Sequence, residues 1–348
     1  MSVEKLSFGA LSAGESVEKY VITNKSGAKV SVITYGATIA ELFVPDRNGK
    51  TEDVLRSFDD LEGFVERCNY QGMTVAPYAN RIANAKFTLN GTEYSLIPNE
   101  KGVTNLHSAG ELSRRVWSAE IVDDHTVRMT IARKDGVGGF PGDMTFSVSF
   151  TLTDENELKI EYKAETNADT YINPTNHAYF NLAGQDSDTN ADHLIRIEAD
   201  CFTPVDAFSI PTGELKSVDS TPFDLRAFTR IGDHIDDDCE QLALTGGYDH
   251  NFCIRGFDGT LRLCATVKEP GSGRMMEVLT DLPGVQFYAG NFLAGALGKG
   301  NKPLNKRCSF CLETQFYPDT PNHPNFPSCL VKKDETFHST TVYRFTTF

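Results

Sequence analysis

Nowhere in this chain is there an uninterrupted apolar stretch long enough to span a bilayer as a helix. Its start, MSVEKLSFGA, has no basic region followed by an apolar run, so no secretory leader is read there. Basic side chains are in short supply: 33 Lys and Arg stand against 48 Asp and Glu, for a formal charge of -15. That field repels phosphate backbones and anionic lipid, which argues against nucleic acid and membranes as partners and leaves neutral small molecules or cations. The eight cysteines have no regular framework spacing, as suits reduced thiols in the cytoplasm. Cys308 and Cys311 do have redox or zinc spacing, but no second pair accompanies them, and on a strand positions three apart face opposite sides. A low-complexity linker, an abrupt composition shift and a propeller-period repeat are all missing, so one domain over residues 1–348 is expected.

Helical periodicity is nearly absent too, with Leu61 to Cys68 the one stretch read as a helical turn or two. What is there is alternation of period two. In Met144–Leu152, MTFSVSFTL, every apolar residue falls on one face and every hydroxyl on the other. Val127, Met129 and Ile131 repeat the pattern, as do Leu158, Ile160 and Tyr162. Asn48-Gly49 and Asn90-Gly91 punctuate strands as hairpin turns do. The composition, 40% hydrophobic and 10% aromatic, is that of a globular protein. The fold class expected is all-β, a large antiparallel β-sandwich with few short helices.

Several segments break the alternation by placing amides and titratable groups where an apolar strand has no need of them. In Ser309–Tyr317, Phe310, Leu312 and Phe316 take one face, while Ser309, Cys311, Glu313 and Gln315 take the other. In NPTNHAYFNLAG, residues 173–184, an extended chain puts His177, Tyr179 and Asn181 on one face, with Ala178, Phe180 and Leu182 behind. Asn80-Arg81, His107, Asp249-His250 and Gln286 lie in further fragments of tight turns and hydrogen-bonding groups. Taken singly, each is an ordinary turn, loop pair or half-buried histidine. Together they supply the side chains of a polar concave site for a polyol, with aromatics alongside.

The chain resembles the aldose 1-epimerases, also called galactose mutarotases, over nearly its whole length. The strongest signature is Asn176–Gly184, NHAYFNLAG, followed at the right distance by Cys311–Gln315, CLETQ. Tyr35–Ile39 with Val44–Gly49, Asn80–Ile82, Asn105–His107, Gly139–Gly142, Tyr248–Phe252, Pro283–Asn291 and Pro318-Asp319 extend it in order. The resemblance implies a galactose mutarotase-like supersandwich whose concave face holds a free hexose. It also implies Glu313 as general base and His177 as general acid, with Asn80, Arg81, His107, Tyr179, Asp249 and Gln286 contacting the sugar or orienting that pair. Three segments depart from the family pattern: Val75–Tyr78, Ser108–Gly110 and Asp53–Arg56. They are expected to touch the walls of the site more than the acid and base, and so to bear on sugar preference rather than reaction class.

Interconverting anomers requires the anomeric hydroxyl to lose a proton while the ring oxygen gains one, then rotation about C1–C2 and reclosure. No electrons move to a cofactor and no water is consumed, so no cofactor and no metal are expected. The base is the naturally ionised glutamate, and acidic neighbours are expected to keep the histidine protonated. The two are expected to face each other across a shared pocket, a hexose's width apart. The partner is a free aldohexose such as glucose or galactose, and the protein a cytoplasmic monomer or weak homodimer. Four rivals compete. A glycoside hydrolase would pair Asp249 with Glu313, and a sugar-phosphate epimerase would need a basic cluster. A cupin-type metal barrel would use His107, His177, His250 and Glu313, and a sugar-binding module would need no acid–base pair.

Overall fold

The computed structural model describes residues 1–348. Its largest sheet has nine antiparallel strands, and three of them come from the segments where alternation is clearest. Thr126–Arg133, Met144–Leu152 and Glu157–Thr166 pair in sequence, and Thr336–Thr347 joins on the far side of the last. Ser118–Ile121 closes that edge, while Arg274–Thr280, Arg262–Lys268, Leu194–Ile197 and Thr229–Arg230 complete the other. Along Met144–Leu152 the five apolar positions are buried and the hydroxyls between them are not. Burying a large apolar side chain contributes roughly 1.5–3 kcal/mol, so a one-residue slip, which would expose all five, is strongly disfavoured.

Two five-stranded antiparallel sheets pack against this layer. One runs through Ser2–Ala10, Ser16–Thr23, Lys29–Ile33, Thr38–Pro45 and Thr51–Asp53. The other is ordered Lys216–Ser217, Ala199–Phe202, Asp249–Ile254, Gly284–Tyr288 and Cys311–Gln315. A core of 57 buried residues collects the inward faces of all three sheets, including Ile22, Val30, Val148, Ile160, Phe252, Phe287 and Leu312. A second cluster, with Ile33, Ala40, Tyr179, Tyr288 and Cys311, lies on the opposite face of the smaller sheets. The smaller sheets are therefore buried on both sides, and this second face carries the polar site.

The Asn90-Gly91 turn joins Lys86–Leu89 to Thr92–Ser95 with both turn residues at positive φ, 52° and 78°, as a two-residue hairpin requires. Leu61 to Arg67 forms a single helical segment, π-wound over Gly63–Arg67. Two short helices, Ile231–His234 and Glu240–Thr245, are absent from the sequence reading, being too short to show a period. The strand expected to carry both Cys308 and Cys311 begins only at Cys311. Cys308 lies in the turn before it, so the two do not face opposite sides; both are buried in the second cluster as free thiols.

Candidate active site

Three neighbouring strands build the floor. Register pairs Asn251 with Gln286 and Gln286 with Glu313, giving one row across Asp249–Ile254, Gly284–Tyr288 and Cys311–Gln315. The next row pairs Asp249 with Tyr288 and Tyr288 with Cys311. The residues between them, His250, Phe252, Val285, Phe287 and Leu312, turn away from this face. The period of two that buries the hydrophobic core thus aims the polar set at the opposite side. Gln286 Nε2 donates to Asp249 Oδ1 at 2.7 Å, and Gln315 Nε2 approaches Gln286 Oε1 at 3.4 Å.

His177 comes from a segment that pairs as a strand only at Thr175–Asn176, and the asparagines around it explain how so irregular a chain stays buried. Asn173 takes the Phe316 N–H at 2.8 Å, Asn176 Nδ2 donates to Gly72 O at 2.9 Å, and Asn181 Nδ2 donates to Cys308 O at 2.8 Å. These amides satisfy backbone groups that no sheet neighbour reaches. His177 itself exchanges backbone hydrogen bonds with Met73 O and Gly72 N. Its ring stacks on Tyr179 at 5.0 Å and faces Tyr70 at 6.2 Å, which fixes the imidazole plane.

A third wall comes from Arg81–Ile82 paired with Asn105–Leu106. The backbone N–H of Asn80 donates to His107 Nδ1 at 3.1 Å, so the neutral His107 ring carries its proton on Nε2 and is a donor there. His107, Ser108 and Ala109 all have left-handed backbone, with φ of 52°, 50° and 53°, a strained run of three non-glycine residues held at the pocket wall. Arg81 is gripped by Glu100 through two bonds of 2.8 and 2.9 Å and lies 4.0 Å from Asp249. Two of the segments that depart from the family pattern meet here. Ser108 Oγ accepts from Tyr78 N at 3.0 Å and donates to Tyr78 O at 2.9 Å, behind the pocket rather than in it.

These walls enclose a cavity of about 440 Å³. Asn80, Arg81, His107, His177, Tyr179, Asp249 and Glu313 all line it, and Gln286 stands directly behind Asp249. Glu313 Oε1 is 3.6 Å from His177 Nε2, while Oε2 is buried without a partner. The pair therefore sits side by side and not a sugar's width apart.

Burial sets the proton affinities. It pushes the Glu313 carboxyl well above the usual range, aided by the negative charge of Asp249 and opposed by Arg81. It drives His177 down to about 4. His107 is also held well below its ordinary value, by burial first and then by His177 and Arg81. The expectation that acidic neighbours keep His177 charged is thus overturned, because desolvation dominates its surroundings. Asp249 is raised by burial, against the pull of Arg81 and Gln286.

His250 does not join the site. Its ring packs on Phe202 and Phe223, and its Nδ1 takes the Asp249 N–H at 3.2 Å. Ligand atoms of His107, His177 and Glu313 do lie within 4.8 Å of one another, but with Nδ1 occupied by a donor, His107 presents N–H rather than a lone pair. That donor set does not fit a metal. Sequence reasoning missed Tyr70, Glu100, Lys101, Tyr288 and Phe292, which also line the cavity. Tyr288 was within reach, two residues from Gln286 on one strand; Tyr70 and Glu100 sit in loops whose sequence carries no such signal.

A family model for aldose 1-epimerase matches residues 18–344. A galactose mutarotase of Bos taurus is 43% identical, covering 99% of this chain and 99% of its own length. An aldose 1-epimerase of Escherichia coli (strain K12) is 34% identical over 95% of this chain and 96% of its own. Among solved structures, an aldose epimerase homologue from C. elegans superposes with a TM-score of 0.87 at 30% identity, covering 94% of this chain and 98% of that one.

Proposed function

The chain belongs to the aldose 1-epimerase family, and from that premise we propose that it interconverts the α and β anomers of a free aldose, with Glu313 as base and His177 as acid. The observation that carries the residue assignment is the 3.6 Å approach of Glu313 Oε1 to His177 Nε2 at the floor of a closed-backed cavity. Glu313 takes the proton of the anomeric hydroxyl as His177 delivers one to the ring oxygen, the C1–O5 bond breaks, and the open-chain aldehyde turns about C1–C2. Reclosure on the other carbonyl face reverses both transfers.

Burial shapes this sequence. At rest burial favours neutral acid and neutral imidazole, so the pair enters the step through its minor form, carboxylate and imidazolium, and the two transfers return it to the favoured one. A raised carboxyl is a stronger base and a lowered imidazolium a stronger acid, so the same desolvation that makes this form scarce drives both protons forward once it is reached. Each positioned transfer contributes about 10² to 10⁴ in rate. His107 Nε2–H and the Arg81 guanidinium, held by Glu100, donate to oxygens near the reacting centre. Asp249, held by Gln286, accepts from distal hydroxyls.

The setting we propose is a cytoplasmic monomer or weak homodimer, one domain over residues 1–348, working on free hexoses such as glucose and galactose. The test is anomer exchange followed by proton NMR on freshly dissolved α-glucose and α-galactose. Acceleration proportional to protein concentration supports the proposal. Binding without acceleration, or release of the aryl group from an aryl glycoside, refutes it in favour of a sugar-binding module or a hydrolase.

A further inference from the structure

On the strand that carries Asp249, at the end away from the cavity, Cys253 is the register partner of Cys201 on the adjoining strand Ala199–Phe202. Antiparallel partners point to the same side of a sheet with Cα atoms about 4.5–5.5 Å apart, inside the roughly 4.4–6.8 Å span that a disulfide bridges. Cys201 is half-buried and open to solvent, whereas Cys253 is buried with Tyr317 and Phe326, and Cys201 packs against that cluster. The bulge between Ala199 and Cys201 supplies local play for the small approach of the two sulfurs. We propose that Cys201 and Cys253 are a peroxide-reactive pair, Cys201 the attacking thiol and Cys253 the resolving one, closing a reversible cross-strand disulfide.

The division of labour follows from the surroundings. Contact with Cys253 draws the Cys201 thiol down to about 7, while the same contact and burial push Cys253 up. Burial raises Cys68 and Cys264 to about 12, so neither competes as a thiolate near neutral pH. The Cys201 thiolate attacks one oxygen of hydrogen peroxide: an S–O bond forms, the O–O bond breaks, and hydroxide leaves to become water. The Cys253 sulfur then attacks the sulfenic sulfur: an S–S bond forms, the S–O bond breaks, and its oxygen departs with the thiol proton and one more as a second water. Two thiols are oxidised and one peroxide is reduced to two waters, in balance.

The experiment treats the full chain with hydrogen peroxide near pH 7 and maps its peptides without reduction. A Cys201–Cys253 linked peptide that dithiothreitol removes is expected, formed before any other cysteine is modified. In Cys253→Ser, a sulfenic acid trapped by dimedone should accumulate at Cys201 instead of the link. In Cys201→Ser, Cys253 should stay unmodified at the same peroxide dose. Absence of the linked peptide in the unsubstituted protein, or prior oxidation of another cysteine, overturns the proposal, and the unsubstituted protein gives that answer even if a variant fails to fold.

Discussion

At Glu313 and His177 one physical cause, loss of water, moves two proton affinities in opposite directions, which makes the charged pair scarce and reactive at once. The competent pair holds one proton between its two members, whichever carries it. It takes up a second as the pH falls through the lowered value of His177, about 4. The acid limb of kcat/KM is therefore expected near pH 4, and a limb near the ordinary histidine value of about 6.5 would show that His177 is not the desolvated acid. A second residue-scale prediction concerns Gln286, whose amide is the side-chain partner of Asp249. Gln286→Ala leaves a buried carboxylate short of a donor, a cost of about 1–3 kcal/mol. Sugar KM should rise by about tenfold or more with kcat changed much less, and an unchanged KM would sink the role given to Asp249.

Within the elements, the decisive device is register. Gln286 meets Glu313 because Gly284 lets its strand approach Asn251 and Tyr317, where a Cβ would strike the Asn251 amide oxygen and the Tyr317 ring. Gly284→Ala should cost roughly 1–3 kcal/mol in urea unfolding and impair sugar binding by shifting the same strand; a variant as stable and as active as the parent would contradict this. The strands were legible in the sequence because alternation writes both faces at once: Phe310 and Leu312 inward, Cys311 and Glu313 outward. The segment 173–184 showed its site face for the same reason, with His177 and Tyr179 in the cavity and Ala178, Phe180 and Leu182 in the core. Asn181 shares the first face by count but serves as a clamp on loop carbonyls. Glu100 and Tyr70 were not legible, because loop positions have no period and their places depend on how distant strands assemble.

For the molecule as a whole, several buried imidazoles tie stability to pH. His193 is the clearest, donating from Nδ1 to Asn190 O at 3.1 Å and accepting the Leu182 N–H on Nε2 at 2.9 Å, with burial holding it down to about 4. Between that value and about 6.5 the unfolded chain binds the proton and the folded one does not. Its contribution is thus complete above about pH 6.5 and is lost as the pH falls, at up to about 1.4 kcal/mol per pH unit. Raised carboxyls such as Glu313 and Asp249 act in the opposite sense, so the comparison must isolate one group. His193→Asn should show a shallower loss of stability between pH 6.5 and 5 than the unsubstituted protein in denaturant titrations; equal slopes would exclude His193 as a source.

Most direct of all is the rate of anomer exchange in Glu313→Gln, which keeps the shape of the side chain and removes its basicity. With the fold checked by circular dichroism, polarimetry on α-galactose is expected to show kcat/KM reduced by at least about 10², and exchange at the rate of the unsubstituted protein would contradict the account.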